Sequence, residues 1–245
     1  LGDVYKRQVP GDLEGEPILL GTITELAKEV NIPLLIGTIR ADDESNKYFN
    51  NATLIDKSGD IIKSYSKLHL VPFGEFIPLE NVFGFLRNIA PIGDFKRGIE
   101  YTVFNLGDVK FSSLICFEDI FPSLVRRFAK NGAGLLINIT NDAWFGDTSE
   151  PYQHAQASVF RAVELRRAVI RAANTGLSCF INPKGEIIAS VKDKVGKEIF
   201  VSGYKTAAIP LVKTRSIYTH YGDWLVALCL LFVLTPLIKY YILTS

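Results

Sequence analysis

Apolar and polar positions recur along this chain with periods that change at recognisable stops. From Pro17 to Val30, Leu20, Ile23, Leu26, Ala27 and Val30 fall at helical spacing, and Asn31-Ile32-Pro33 ends the run. Leu34 to Ile39 is a short continuous apolar run, the pattern of a buried strand. Tyr48–Ile55 and Ile61–Ser66 read as strands around Asp56-Lys57-Ser58-Gly59-Asp60, a hairpin turn. Tyr101–Leu106 and Val109–Ile115 form a second pair around Gly107-Asp108. The pattern predicts a helix over Asp119 to Asn131, stopped at Gly132, and another buried strand from Leu135 to Ile139. Thr140 to Glu150 is a polar loop containing aromatics. Tyr152 to Ala173 reads as one long helix, in which Glu164 can pair with Arg161 or Arg167. Ser178–Ile181 and Ile187–Val191 then flank Asn182-Pro183-Lys184-Gly185-Glu186. This turn is similar to the one at Asp56–Asp60, a hint of an internally duplicated α/β sandwich.

Two stretches break the pattern. Leu68 to Gly98 mixes prolines and aromatics without sustained periodicity, yet Phe73, Phe76, Ile77, Phe83, Phe85, Leu86 and Ile89 are too apolar for disorder. It reads as a lid, or as a loop that touches something greasy. Trp224 to Ile238 is uncharged and apolar, and Tyr240-Tyr241-Ile242-Leu243 follow Lys239. A bilayer span needs about 20 such residues. Trp224 and Tyr240–Tyr241 sit at the ends as interfacial aromatics do, Lys239 can snorkel, and Pro236 is tolerated in a span. A helix apolar on every face is hard to place on a domain that already has a core. A single transmembrane helix over 222–243 is therefore expected. Lys213 and Arg215 precede it and Lys239 lies within its end, so charge does not orient it.

Composition changes this picture in three ways. A chain of 245 residues can bury one large core, and a net charge of +1 without a basic stripe excludes a general nucleic-acid binder. Methionine is absent even at position 1, so the expectation is a chain missing its upstream part. Leu1 to Gln8 fit no pattern and are set aside as a non-native scar, which leaves 9–215 as the domain. Cys116, Cys179 and Cys229, like His69, His154 and His220, are too scattered for a disulfide framework or a metal site, and nothing calls for a cofactor. Cys179 and Cys229 are expected to be packing residues.

Candidate chemistry centres on Leu114-Ile115-Cys116-Phe117-Glu118-Asp119. A lone free cysteine is usually a small buried hydrophobe. Here it closes a strand, where open α/β sheets place their chemistry, and acidic residues follow at once. A thiol can accept and release an acyl group if nearby charge lowers its pKa or a base takes its proton. A lysine such as Lys67 can supply positive charge beside the thiolate and the tetrahedral oxyanion.

Lys67 within Tyr65-Ser66-Lys67-Leu68-His69-Leu70-Val71-Pro72-Phe73-Gly74-Glu75, and Cys116 within Ile115-Cys116-Phe117-Glu118, resemble the lysine and cysteine motifs of the nitrilase (carbon–nitrogen hydrolase) superfamily. Three features resemble its apolipoprotein N-acyltransferase branch: His69 to Phe76 with Pro78-Leu79, Asn141-Asp142-Ala143-Trp144-Phe145-Gly146, and the apolar span after the domain. The resemblance runs from about Val9 onward. It implies an α-β-β-α sandwich followed by one transmembrane helix, in the bacterial inner membrane with the catalytic domain on the periplasmic face. It implies Cys116 as nucleophile, Lys67 beside it, and Glu75 and Glu118 orienting Lys67 or shuttling a proton. Phe117 stands where the family carries an aromatic beside the nucleophile, Trp144 would line the acyl path, and Phe73 and His69 belong to the same substrate-facing motif. The implied partners are a phospholipid acyl donor, a diacylglyceryl-cysteine lipoprotein acceptor and the membrane.

In one place the sequence departs from the family. The resemblance implies a glutamate general base in a Pro-Glu motif after the first strand, where this chain has Val9-Pro10-Gly11. Glu14 and Glu16 lie too far along to inherit the role, so no residue is assigned to it and the chain as given is expected to be inactive or nearly so. Two rivals stand beside acyl transfer. One is a nitrilase-type amidase with a small soluble substrate, and the other a membrane-tethered binding module that kept the fold.

Overall fold

The computed structural model describes residues 8–244 apart from Glu14, Asp43, Asn46 and residues 90–92. The N-terminal segment 1–8 thus lies outside the described residues except for Gln8, which opens the first strand. In chain order, β1 (Gln8–Asp12), α1 (Pro17–Val30), β2 (Leu34–Asp42), β3 (Lys47–Ile55) and β4 (Ile61–Ser66) build one sheet and its covering helix. After the long loop, which holds the short α2 (Glu80–Phe83), come β5 (Phe104–Leu106), β6 (Val109–Ile115) and α3 (Pro122–Lys130). Then follow β7 (Leu135–Asn141), α4 (Glu150–Leu165), β8 (Ala168–Asn174), β9 (Cys179–Ile181), β10 (Ile187–Ser190), α5 (Ile217–Tyr221) and α6 (Trp224–Thr244).

The strands form two sheets in the orders β1-β2-β3-β4 and β10-β9-β8-β7-β6-β5. Ala52, Leu54 and Tyr65 of the first share a core with Leu114, Leu136 and Val169 of the second and with Phe128, Ala155 and Leu165 of α3 and α4. A separate cluster of Leu13, Ala27 and Ile55, with Ile23, Leu34 and Ile61 around it, seats α1 on the first sheet. The result is an α-β-β-α sandwich. Each large apolar side chain so buried contributes roughly 1.5–3 kcal/mol, which is why the two-sheet core dominates the fold.

The duplication hinted at by the turns extends to whole units. β1 pairs parallel with β2 through α1, and β2-β3-β4 continue antiparallel; β7 pairs parallel with β8 through α4, and β8-β9-β10 continue antiparallel. Both hairpin turns close alike: Gly59 N–H donates to Asp56 and Gly185 N–H to Asn182, each with φ near +85°. That left-handed backbone suits glycine. Each turn also rests on its own helix, Gly59 against Thr24 and Gly185 against Val163 and Val159.

Helix α1 and the β3–β4 hairpin lie where the pattern placed them, and β2 runs on to Asp42. The single helix expected from Tyr152 to Ala173 does not exist. Helix α4 stops at Leu165, Arg166 turns into the left-handed region at φ 51°, and Ala168–Asn174 is a central strand of the larger sheet. Arg161 does pair with Glu164, at 2.8 Å, but Arg167 instead donates to the carbonyls of Ala133, Arg166 and Thr214. Likewise α3 begins at Pro122, because Cys116–Ile120 forms a separate 3-10 turn.

The tail is bolted on before it leaves. Ser216 caps α5 and donates to the Glu164 carbonyl at 2.5 Å, while Arg126 of α3 donates to the carbonyls of Tyr218, Thr219 and His220. Helix α6 then begins after Gly222 and Asp223, with Leu225, Val226, Leu231 and Phe232 exposed. Among the described residues no helix is long and apolar enough to cross a membrane, and the side chains from 237 onward lie outside them.

Candidate active site

Strand β6 delivers its last residue, Ile115, into a tight 3-10 turn, and Cys116 takes a left-handed backbone at φ 55°. Such a conformation costs a non-glycine residue about 1–2 kcal/mol, so the surroundings must enforce it. Glu118 supplies much of that enforcement. Its buried carboxylate accepts hydrogen bonds from the N–H groups of Ile115 (2.8 Å), Leu68 (2.7 Å) and His69 (3.0 Å), and from the Tyr65 hydroxyl (2.8 Å). It therefore ties the turn after β6 to the turn after β4, and in doing so brings Cys116 and Lys67 together. Burial pushes its carboxyl up, while these donors and Lys67 pull the other way.

Lys67 is only 1% exposed. Its ammonium donates to both carboxylate oxygens of Glu75 at 2.8 Å, and Glu75 is held in turn by Asn50 Nδ2 (3.0 Å) and the Val71 N–H (2.8 Å). Gly98 lies against the Ser66 carbonyl, where a Cβ would clash, and its N–H donates to Lys67 O at 2.8 Å. Burial would lower the ammonium's pKa, but Glu75 and Cys116 outweigh it and raise it. The Cys116 thiol is pushed up by burial, with Lys67 and the neighbouring Thr140 hydroxyl opposing. The thiol thus rests protonated beside a fixed cation, and its activation needs a base to take the proton.

A second buried cluster adjoins the first. His154 Nδ1 meets Asp142 Oδ1 at 2.9 Å and its Nε2 meets Asp119 Oδ1 at 3.0 Å. Arg171 donates to Asp119 Oδ2 (3.0 Å) and Asp142 Oδ2 (2.9 Å), and Ser158 to Asp119 Oδ2 (2.6 Å). Gly176 leaves room for Asp142, since a Cβ there would collide with its carboxylate. Among the described residues no group of three or more ligating side chains could hold a metal. Here the cation between the carboxylates is a guanidinium. Burial alone would lower the His154 pKa, but the bonds to Asp119 and Asp142 more than offset it and raise it to about 8.

This sets a pH dependence of stability. A folded-state pKa above the unfolded value of about 6.5 gives a contribution fully present below that pH and lost as pH rises through about 8. The shift corresponds to about 2 kcal/mol. Urea titrations at both ends of that window are expected to show the loss in the wild type and not in His154→Gln. Equal slopes in the two proteins would count against a charged His154.

Of the residues expected from sequence, Cys116, Lys67 and Glu75 meet in one place, and Glu118 buttresses the turns that carry them. Phe117 stacks on His154 with ring centroids 4.8 Å apart and meets Phe145 edge-on. Trp144 is 68% exposed in the turn after β7, so it is not a core aromatic. Phe73 is half exposed at φ 61° and leans edge-on against Phe83, while His69 lies over Phe121 at 3.7 Å. The histidines look dispersed in sequence, yet His154 sits in the charged cluster. Asp119, Thr140, Asp142 and Arg171 have no place in the site expected from sequence. Asp119 and Asp142 carry local signals, the first by following Glu118 directly and the second by standing in the Asn141–Gly146 motif.

Residues 8–217 match the carbon-nitrogen hydrolase family model. The chain belongs to the carbon-nitrogen hydrolase family. Among relatives, an apolipoprotein N-acyltransferase of Geobacter metallireducens is 39% identical over 217 residues, covering 87% of this chain and 40% of that protein. One of Rhodopseudomonas palustris is 35% identical over 238 residues, covering 92% and 43%. The chain thus spans about two fifths of the length of these relatives. Solved structures share the fold of this family at lower identity. An amidase of Nesterenkonia sp. AN1, with acrylamide added at its active-site cysteine, has a TM-score of 0.55 at 22% identity, covering 74% of this chain and 67% of its own. Nit3 of Saccharomyces cerevisiae has 0.55 at 20%, covering 70% and 60%.

Proposed function

We propose that this chain carries the acyl-transfer site of an apolipoprotein N-acyltransferase. The observation that carries the reading is the Cys116 thiol on a left-handed turn, electrostatically coupled to a buried Lys67–Glu75 pair. The relatives' name supports the reaction class, and the exposed apolar residues Phe73, Leu79, Val82, Phe85 and Ile89 of the long loop support a lipid substrate.

In the proposed reaction a base takes the Cys116 proton, and the thiolate attacks the acyl carbonyl of a phospholipid. A C–S bond forms while the Lys67 ammonium stabilises the oxyanion. The C–O bond then breaks, and the departing lysophospholipid takes up the proton. The amine of a diacylglyceryl-cysteine lipoprotein attacks the thioester, a C–N bond forms, and Cys116 leaves as the thiol. The base is the glutamate that the family motif places after the first strand, and no residue of this chain is assigned to it. Glu75 orients Lys67; Glu118 holds the two turns together; Phe117, Trp144, Phe73 and His69 face the acyl path. The apolar helix α6, with 222–243 as its span, is the membrane segment, and the family resemblance is what supports a site at the outer face of the bacterial inner membrane. Hydrolysis of a small soluble amide would leave the exposed loop and α6 without a role.

The test uses the chain joined to the upstream portion its relatives carry, mixed with phospholipid vesicles and read by intact mass. A covalent acyl adduct is expected in the wild type and none in Cys116→Ala. An adduct that persists in the alanine variant sinks the assignment.

A further inference from the structure

Three aromatic rings from three elements meet at the Cys116 turn, and two of them, His154 and Phe145, have no part in the acyl transfer set out above. Phe117, the residue after the nucleophile, stacks on His154 of α4 with ring centroids 4.8 Å apart and planes 17° from parallel. Phe145, in the turn after β7, stands edge-on to both, 5.8 Å from Phe117 and 6.4 Å from His154. His154 is pinned at both ring nitrogens. Nε2 lies 3.0 Å from Asp119 Oδ1, while Nδ1 lies 2.9 Å from Asp142 Oδ1 and 2.8 Å from Arg171 Nη2. The ring cannot turn without losing contacts at both ends, and its face stacks on Phe117 in either protonation state. Phe145 is held through its backbone: its N–H donates to the Asp142 carbonyl at 3.1 Å, and its carbonyl accepts from the Thr148 hydroxyl at 2.9 Å. It follows Trp144 directly, so the placing of its ring places that turn. Strands β6 and β7 are parallel neighbours, and the three rings tie together the turns that bear Phe117 and Trp144.

We propose that His154 and Phe145 are positioning residues that clamp Phe117 and the Trp144 turn, and so set the width of the acyl path to Cys116. A path of fixed width between flat rings admits an unbranched alkyl chain and turns away a branched one. Neither residue touches the reacting atoms. The inference rests on the proposed function, in which Cys116 is the nucleophile and Phe117 and Trp144 face the acyl path.

The test competes N-butylmaleimide against N-tert-butylmaleimide for the thiols of the 245-residue chain. The two are isomers that differ only in the width of the alkyl group, and neither needs lipid or an acyl acceptor. Peptide mass spectrometry reads the straight-to-branched ratio at Cys116, and the exposed Cys229 reports that ratio where no path intervenes. In the wild type the ratio at Cys116 is expected to exceed that at Cys229 by at least about fivefold, the scale of one aromatic contact. Phe145→Leu and His154→Gln are each expected to lower it about fivefold, toward the Cys229 value. Phe145→Tyr keeps the ring and is expected to keep the ratio. A purely structural role would slow or speed both isomers together. An unchanged ratio in folded Phe145→Leu therefore overturns the inference, as does a wild-type ratio no higher at Cys116 than at Cys229. Should His154→Gln fail to fold, the two Phe145 variants decide. A wild-type Cys116 that takes up neither isomer while Cys229 reacts removes the nucleophile of the proposed function, and this inference with it.

Discussion

Replacing Lys67 with methionine is expected to lower Cys116 acylation by about a thousandfold or more, because the oxyanion and the thiolate lose the same cation. The substitution also removes the counter-charge of Glu75, a carboxylate only 15% exposed and otherwise held by Asn50 and Val71. Stripping one partner from a buried ion pair typically costs about 3–5 kcal/mol. Adding Glu75→Gln separates the two effects. The double variant is expected to regain part of the melting temperature but none of the rate, since glutamine needs no cation and the oxyanion still does. The measurements are thermal melts and the intact-mass assay on the upstream-extended protein. Acylation by Lys67→Met within tenfold of the wild type would exclude Lys67 from the chemistry.

Arg171→Leu is expected to produce the largest loss of stability, about 3–5 kcal/mol, equivalent to a melting temperature lower by roughly 10 °C. Asp119 and Asp142 both sit at 0% exposure with this guanidinium between them, and leucine leaves two carboxylates facing one imidazolium. The deficit should shrink as pH falls and the carboxylates can take up protons. Chemical denaturation of wild type and variant at neutral and acidic pH measures this. A deficit under 1 kcal/mol, or one that grows toward acid, would mean that the cluster is not held by charge compensation.

Arg171 also shows where inference from sequence stops. Helix α1, the two hairpins and the apolar runs of β6 and β7 are legible because their periodicity and turn residues agree. The end of α4 is not. Ala168-Val169-Ile170-Arg171-Ala172-Ala173 carries no strand alternation, because a central strand is covered on both faces, and its alanines favour helix. The only stop is Arg166 in a left-handed conformation, a role usually signalled by glycine. Placed on a helix, Arg171 looks like one charge among several on a solvated face.

The site divides along a similar line. Lys67 and Glu75 are readable from one continuous motif and Cys116 from a second, each short and local in the sequence. The cluster around His154 joins 119, 142, 154 and 171 from four different elements, and only the parallel β6-β7-β8 register assembles them. Glu118 is legible as part of the site, but its work is not. A carboxylate that collects three backbone N–H groups and a phenol is recognised only when the turns it joins are seen together.

The grip of Arg126 on the carbonyls of Tyr218, Thr219 and His220 has a mechanical consequence. Only two residues separate α5 from α6, so the long helix has little freedom to swivel on the body that carries it. Whatever medium α6 enters therefore sets the tilt and heading of the sandwich, and the mouth of the Cys116 site keeps one bearing relative to that surface.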